Sequence, residues 1–376
     1  MDTADDDSST PLGLDPGLAA AAEGNATPVA MPEGGSAPVA MGRRLPDPPC
    51  SPITGPPARR PGSVRRTSAI LMTWPGGWGT QLRMDGRARD LITPAQGGPV
   101  VLADDEVHAG IGADRTIEDL AVAPGRPGIG RLVGARAGGG LRAAIGEALP
   151  DDLAGGTPLY LLLDDLAGGS LIAGFAWSRW SDQWRDRPQG EDAPPKRTMV
   201  GVCSGFRPGS SALGPDGAVH PERRHNVASV PALVDPDDPV GWHPLDPHPP
   251  VAMRRARRID VWFDGDIVRV DAMFRDSCWQ PDGAEVSVHE YALAASIGLH
   301  SGLVTAVTAE PRVLPFPECP AAADNAGRLV GTPARDLRSE VLNRLRATDG
   351  CTHLNDALRA LAEVPVLASA LSPAGR

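Results

Sequence analysis

Between residues 257 and 274 apolar and polar positions alternate with the period of a strand. Ile259 to Phe263 forms one run, Asp264-Gly265-Asp266 a turn, and Ile267 to Phe274 its partner. The same phrase stands earlier, with Thr67 to Trp74, a Pro75-Gly76-Gly77 turn, and Thr80 to Met84. An arginine pair precedes the first strand in each place, Arg65-Arg66 and Arg257-Arg258, and an Arg-Asp pair ends the second, Arg89-Asp90 and Arg275-Asp276. Kept in both places, the Arg-Asp pair reads as a structural ion pair or turn cap. Two weaker strands follow in each, Pro99 to Ala103 with Arg115 to Val122 and Val286 to Ala295 with Leu303 to Thr308, closed at Pro124 and Pro311. Helical spacing then takes over. The string RLVG recurs at 131–134 and 328–331, helices start at Leu141 and Leu337, and a last helix opens near residues 156–158 and again near 351–353.

This repetition predicts an α+β fold of two tandem units related by a pseudo-twofold axis. Each is a four-stranded antiparallel meander followed by two or three helices that cover one sheet face, and together they form an intramolecular pseudo-dimer. The first, degenerate unit is placed at 63–168 and the second at 254–372. Residues 1–62 are rich in Pro, Ala and Gly without apolar period and are expected to be unstructured, because they bury too little to offset ordering entropy. Residues 169–253 read as a linker in which Trp177, Trp180 and Trp184 stand at helical spacing and are expected to pack on a neighbouring domain.

Composition narrows the partners. The net charge of -11 disfavours general binding to nucleic acid or to anionic membranes, although Arg254, Arg255, Arg257 and Arg258 form a local basic cluster that could hold an anion. No apolar run is long enough to predict a membrane helix, and the acidic start lacks a secretory h-region. Five scattered cysteines, an odd number, are expected as reduced thiols, and the protein as cytoplasmic. Lys196 is the only lysine, which with the abundance of Ala, Gly and Pro points to a GC-rich bacterial genome.

The two units differ where chemistry could reside. The last helix of the second opens with Cys351-Thr352-His353, and the aligned Gly156, Thr157 and Pro158 of the first can neither bind metal nor attack an electrophile. Cys351, His353, Cys319 and His289 together make a thiolate and imidazole set of the kind that zinc or iron accepts. Cys351 and His353 are two apart and converge only if Cys351 lies just before the helix, with Thr352 as its N-cap. His289 alternates with Tyr291 and Leu293, so it meets that helix only if the helix packs on their face of the sheet. Asp356, one turn beyond His353, is expected to orient its imidazole. In the alternative readings Cys351 is a thiol nucleophile activated by a helix N-terminus with His289 or His353 as base, or these are ordinary buried residues. Cys203 is expected as a plain loop cysteine.

Val288-His289-Glu290, Pro317-Glu318-Cys319, Leu329-Val330-Gly331 and Gly350-Cys351-Thr352-His353-Leu354 resemble, across 257–362, the pattern of the bacterial domain-of-unknown-function family 2889. The tandem form resembles an actinobacterial subgroup covering about 65 to 372. The resemblance implies no activity; it suggests His108 as the counterpart of His289. Three functions are therefore open: a metal-binding protein, possibly enzymatic, using zinc or iron; a non-catalytic assembly or accessory protein that presents the Trp-rich linker to a partner; and a cysteine-nucleophile enzyme.

Overall fold

The computed structural model describes residues 46–181, 198–219 and 226–372. The strands are β1 (Ser63–Thr73), β2 (Leu82–Thr93), β3 (Val100–Ile111), β4 (Ile117–Ala123), β5 (Ala228–Ser229), β6 (Met253–Asp264), β7 (Ile267–Trp279), β8 (Glu285–Gly298) and β9 (Val304–Val313). The helices are α1 (Leu141–Ala148), α2 (Pro150–Gly155), α3 (Pro158–Ile172), α4 (Phe175–Trp180), α5 (Leu337–Arg344), α6 (Thr352–Arg359) and α7 (Val364–Ser369), with a run of 3₁₀ turns at Cys319–Leu329. The fold is α+β around one large antiparallel sheet. Every strand foreseen is present, most of them longer than expected. Pro311 does not close β9 but lies inside it opposite Tyr291, where the ladder is irregular and its missing N–H is tolerated.

The sheet order is β4-β3-β2-β1-β6-β7-β8, with β9 and β5 both on the outer edge of β8. β1 and β6 pair antiparallel from Ser63↔Trp262 to Met72↔Met253, so the two meanders share one continuous sheet. Their registers match in detail. Arg66 stands opposite Asp90 and Arg255 opposite Asp276, and each ladder slips by one residue directly after that aspartate, at Leu91 and at Ser277.

Alternation along β1 and β6 assigns side chains to two covered faces. Ile70 and Met72 face α1 and α3, while Ile259 and Val261 face the 3₁₀ run and α5 to α7. The opposite face is covered as well. There Ala256 and Met273 pack with Trp242, Leu233 and Ile53. Of the segment 1–62, residues 1–45 lie outside the described residues, and 46–62 lie along the sheet: Ser51 N–H donates to Arg312 O (2.8 Å), Ile53 N–H to Glu290, and Arg59 pairs with Asp238. The linker is likewise built in. Trp177 is 8% exposed and packs against Trp74 and Trp78, with ring centroids 6.0 and 6.2 Å away, and half-buried Trp180 packs edge-on against Phe175; Trp184 lies outside the described residues.

The arginine cluster is not an anion-binding surface. Arg254, Arg255, Arg257 and Arg258 are all buried, and each is paired with an acid. On the helical face Arg255 donates to both Asp276 oxygens (2.9 and 3.0 Å), to Asp165 (3.3 Å) and to Asp356 (3.0 Å), and Arg257 grips Asp165. Arg142 and Arg359 both bridge Asp164 and Asp356. Arg66 mirrors Arg255: it donates to both Asp90 oxygens at 2.6 Å, to Gly156 O and to Glu363, which Arg338 also holds. Thus Asp165 of α3 binds arginines on β6, and Glu363, before α7, binds one on β1. Gly168 makes this approach feasible, since a Cβ there would collide with Arg255 Nη1 and Asp356 Oδ2.

Residues 158–180 form a continuous stretch apolar and long enough to cross a membrane by length and composition, contrary to the sequence expectation. Within it, 72% of the most apolar window is buried inside the protein, and Asp165 is ion-paired. Burial by the protein accounts for its hydrophobicity.

Two stability predictions follow from this packing. Asp165→Ala leaves Arg257 buried without its carboxylate and should cost about 3–5 kcal/mol in denaturant unfolding; a loss under about 1 kcal/mol contradicts the network's role. His243 accepts or donates a 2.8 Å bond with Thr67 on the other face; burial, then Arg89, Arg87 and Arg254, lowers its pKa from 6.5 to about 3. In that window the unfolded chain binds the proton and the folded one does not, so stability falls as pH drops from 6.5 towards 3. His243→Gln should flatten this slope relative to the parent, and an unchanged slope refutes the assignment.

Candidate functional site

Asp276 on β7 stands opposite His289 on β8, immediately before the ladder irregularity. A bulge at this point re-aims the strand and is a frequent neighbour of functional side chains. Alternation sends Asp276, His289, Tyr291 and Leu293 to the helical face, and α6 packs there, which meets the geometric condition read from the sequence. Cys351 has extended angles (φ -134, ψ 131) and is itself the N-cap of α6, so Thr352 is the first helical residue rather than the cap. That entry turns both Cys351 and His353 inward.

His353 arrives over His289 with ring centroids 3.6 Å apart and an interplanar angle of 13°. Its Nε2 lies 3.6 Å from Asp276 Oδ2, and its Nδ1 lies 3.3 Å from Thr352 Oγ1 and 3.8 Å from Cys351 Sγ. One donor atom each from Asp276, His289 and His353 falls within 4.8 Å of the other two, and these are the residues among those described that are grouped to hold a metal ion. Asp276 is fully buried, and the Arg255 fork fixes its plane. Burial opposes the charge on Arg255, yet Asp276, Asp165 and Asp356 outweigh it and keep the guanidinium charged.

The expected thiols lie beside this group rather than in it. A cavity of about 120 Å³ is lined by Cys203, Cys319 and Cys351 together with His289, His353 and the ring of Phe316. Burial is the largest influence on Cys351 and pushes its thiol up; the amides of Leu354 and His353 and the Tyr291 hydroxyl pull in the other direction without offsetting it. Burial, with Cys351 and Cys203 adding to it, raises the Cys319 thiol well above its ordinary range.

The Asp356 carboxylate, expected to orient His353, accepts hydrogen bonds from Arg255, Arg142 and Arg359. Burial pushes its carboxyl up, but Arg255, Arg142, Arg257 and Arg359 overcome that and hold it below the usual carboxylate range. The acid beside the imidazole is Asp276, half of the Arg-Asp pair read as structural. It is that too, through Arg255. The signal for its second role was its place opposite His289, which only the strand register reveals. Cys203 lies in a loop, as expected, and Ser204 donates to Gly350 O and Glu318 O, which carries the 203–206 loop over the cavity. His108 is not the counterpart of His289. Ala103 stands opposite Asp90 as His289 stands opposite Asp276, while His108 faces Asp85 and bonds it at 2.7 Å.

No curated protein and no solved structure matches this chain. Residues 253–367 do match a family, one described as a protein of unknown function (DUF2889). The matched span runs from the first residue of β6 into α7 and contains Asp276, His289 and His353. This part of the chain, with all three grouped donors, belongs to that domain family.

Proposed function

We propose that this protein binds a zinc or iron ion on Asp276, His289 and His353 and acts on a small molecule held in the adjoining cavity. The observation that carries this reading is the convergence of three donors from three elements, β7, β8 and α6, within 4.8 Å. Two imidazoles and one carboxylate, leaving positions open, are the donor set of catalytic zinc sites and of non-haem iron centres. Thr352 and Cys351 at Nδ1 of His353 would steer its other nitrogen to the ion. The cavity is somewhat smaller than the ~150 Å³ that admits benzene, so the reacting part of a substrate there is a few heavy atoms.

Two features weaken the affinity. Stacked rings present their lone pairs in nearly parallel planes, so loading requires one imidazole to turn out of the stack. Arg255 on Asp276 also places a cation next to the metal. We therefore expect a site that exchanges its ion, unlike a closed structural zinc site.

The same reading takes 63–168 and 254–372 as duplicated units about an axis through the Ser68↔Arg257 pair, supported by their matching registers. The first unit would be a scaffold, with Ala103 where the second has His289. Absence of disulfides among Cys50, Cys203, Cys278, Cys319 and Cys351 suits a cytoplasmic setting.

A second reading makes Cys351 a nucleophile, with His353 as base and Asp276 behind it. It is favoured by the line from Cys351 Sγ through His353 to Asp276 and by the helix N-terminus under the sulfur. Against it stands the raised thiol pKa.

Elemental mass spectrometry of tag-free protein should find near-stoichiometric zinc or iron, reduced at least tenfold in His289→Ala and retained in folded Cys351→Ser. A metal-free parent, or loss in Cys351→Ser alone, overturns the assignment. Iodoacetamide at pH 7.5 should label exposed Cys50 before Cys351. Preferential labelling of Cys351 would transfer the chemistry to the thiol.

A further inference from the structure

A second opening beside the sheet lies between the β1–β2 connection and the C-terminal end of α3. It has a volume of about 520 Å³, within the ~300–1,000 Å³ typical of small-molecule sites. Trp74 and Trp78 form one wall, with centroids 4.9 Å apart and planes at 51°, and buried Trp177 braces both from behind. An angled aromatic wall of this kind offers a face and an edge to a planar ring. Leu171, 54% exposed, is also part of the lining, so a large apolar side chain meets the opening.

Arg115 brings a charged group to the cleft wall. It is the only ionisable side chain in the lining among the described residues. Its backbone is left-handed (φ 70), a costly conformation for arginine that turns the side chain towards α3. There Nη2 donates to Ala167 O at 2.6 Å and Nε to Ser170 Oγ at 3.1 Å, which fixes the guanidinium at the cleft wall. A carbohydrate would need many more polar partners than Thr80, Ser170 and Ser178 supply.

We propose that this cleft binds a planar aromatic carboxylate, with its ring against Trp74 and Trp78 and its carboxylate directed to Arg115. Leu171 and Ile172 also line the histidine cavity, so the ligand would lie across a shared wall from Asp276, His289 and His353. The proposal goes beyond the metal reading and does not depend on it.

The test is isothermal titration calorimetry of the full chain with 2-naphthoate, beside neutral 2-naphthamide. The expected result is saturable one-to-one binding of naphthoate, at least tenfold weaker for the amide, for Trp78→Ala and for Arg115→Gln. His289→Ala, which removes a grouped donor, should bind naphthoate as the parent does. Leu171→Glu puts a like charge at an exposed position and should abolish binding while circular dichroism stays native, which keeps the test decisive if Trp78→Ala does not fold. No saturable binding at millimolar naphthoate, equal affinity for the amide, or binding that survives both Arg115→Gln and Leu171→Glu overturns the proposal.

Discussion

The ion pair between Arg255 and Asp276 is the constraint on which the rest of this structure depends. Both groups are buried between sheet and helices, where an unpaired charge would cost several kcal/mol, so the surroundings must supply a balanced set of partners. They do. Arg255, Arg257, Arg142 and Arg359 face Asp276, Asp165, Asp356 and Asp164, while Arg66 and Arg338 face Asp90 and Glu363. Such a layer gains less from its Coulomb energy than from forbidding alternatives. A helix shifted by one turn would strand several charges together, so α3 and α6 are held in register over the strands.

That register makes the site. With Asp276 fixed by a two-pronged arginine, the irregularity at Ser277 and the strand alternation place His289 beside it, and the helix that delivers Asp356 to Arg255 also delivers His353 three residues earlier. Structure and candidate chemistry therefore share Asp276. The first meander has the same ion pair and the same slip after Asp90, and there Ala103 rather than an imidazole stands opposite the aspartate.

Much of this was legible in the sequence, and what was not has identifiable causes. Strands β1, β2, β6 and β7 were visible because period-two alternation and tight turns are local. His289 and His353 were found because they are polar residues with few structural uses at a strand centre and a helix start. Asp276 escaped because a charge repeated in both halves reads as structure, and its nearness to His289 depends on a ladder pairing that spacing alone does not fix. For Asp356 the i+3 spacing from His353 is real, but four arginines, three of them buried, surround the carboxylate and hold it charged. The basic cluster on β6 looked like an anion surface because its acidic partners lie up to about a hundred residues away in sequence, as Asp165 does from Arg257.

The central claim is that imidazole and carboxylate, rather than thiolate, are the groups that converge. X-ray absorption at the metal edge of the zinc-loaded protein tests it most directly. The account predicts a first shell of nitrogen and oxygen at about 2.0–2.2 Å with the multiple-scattering signature of two imidazoles. A sulfur shell at about 2.3 Å would place the ion on Cys203, Cys319 or Cys351 and contradict it.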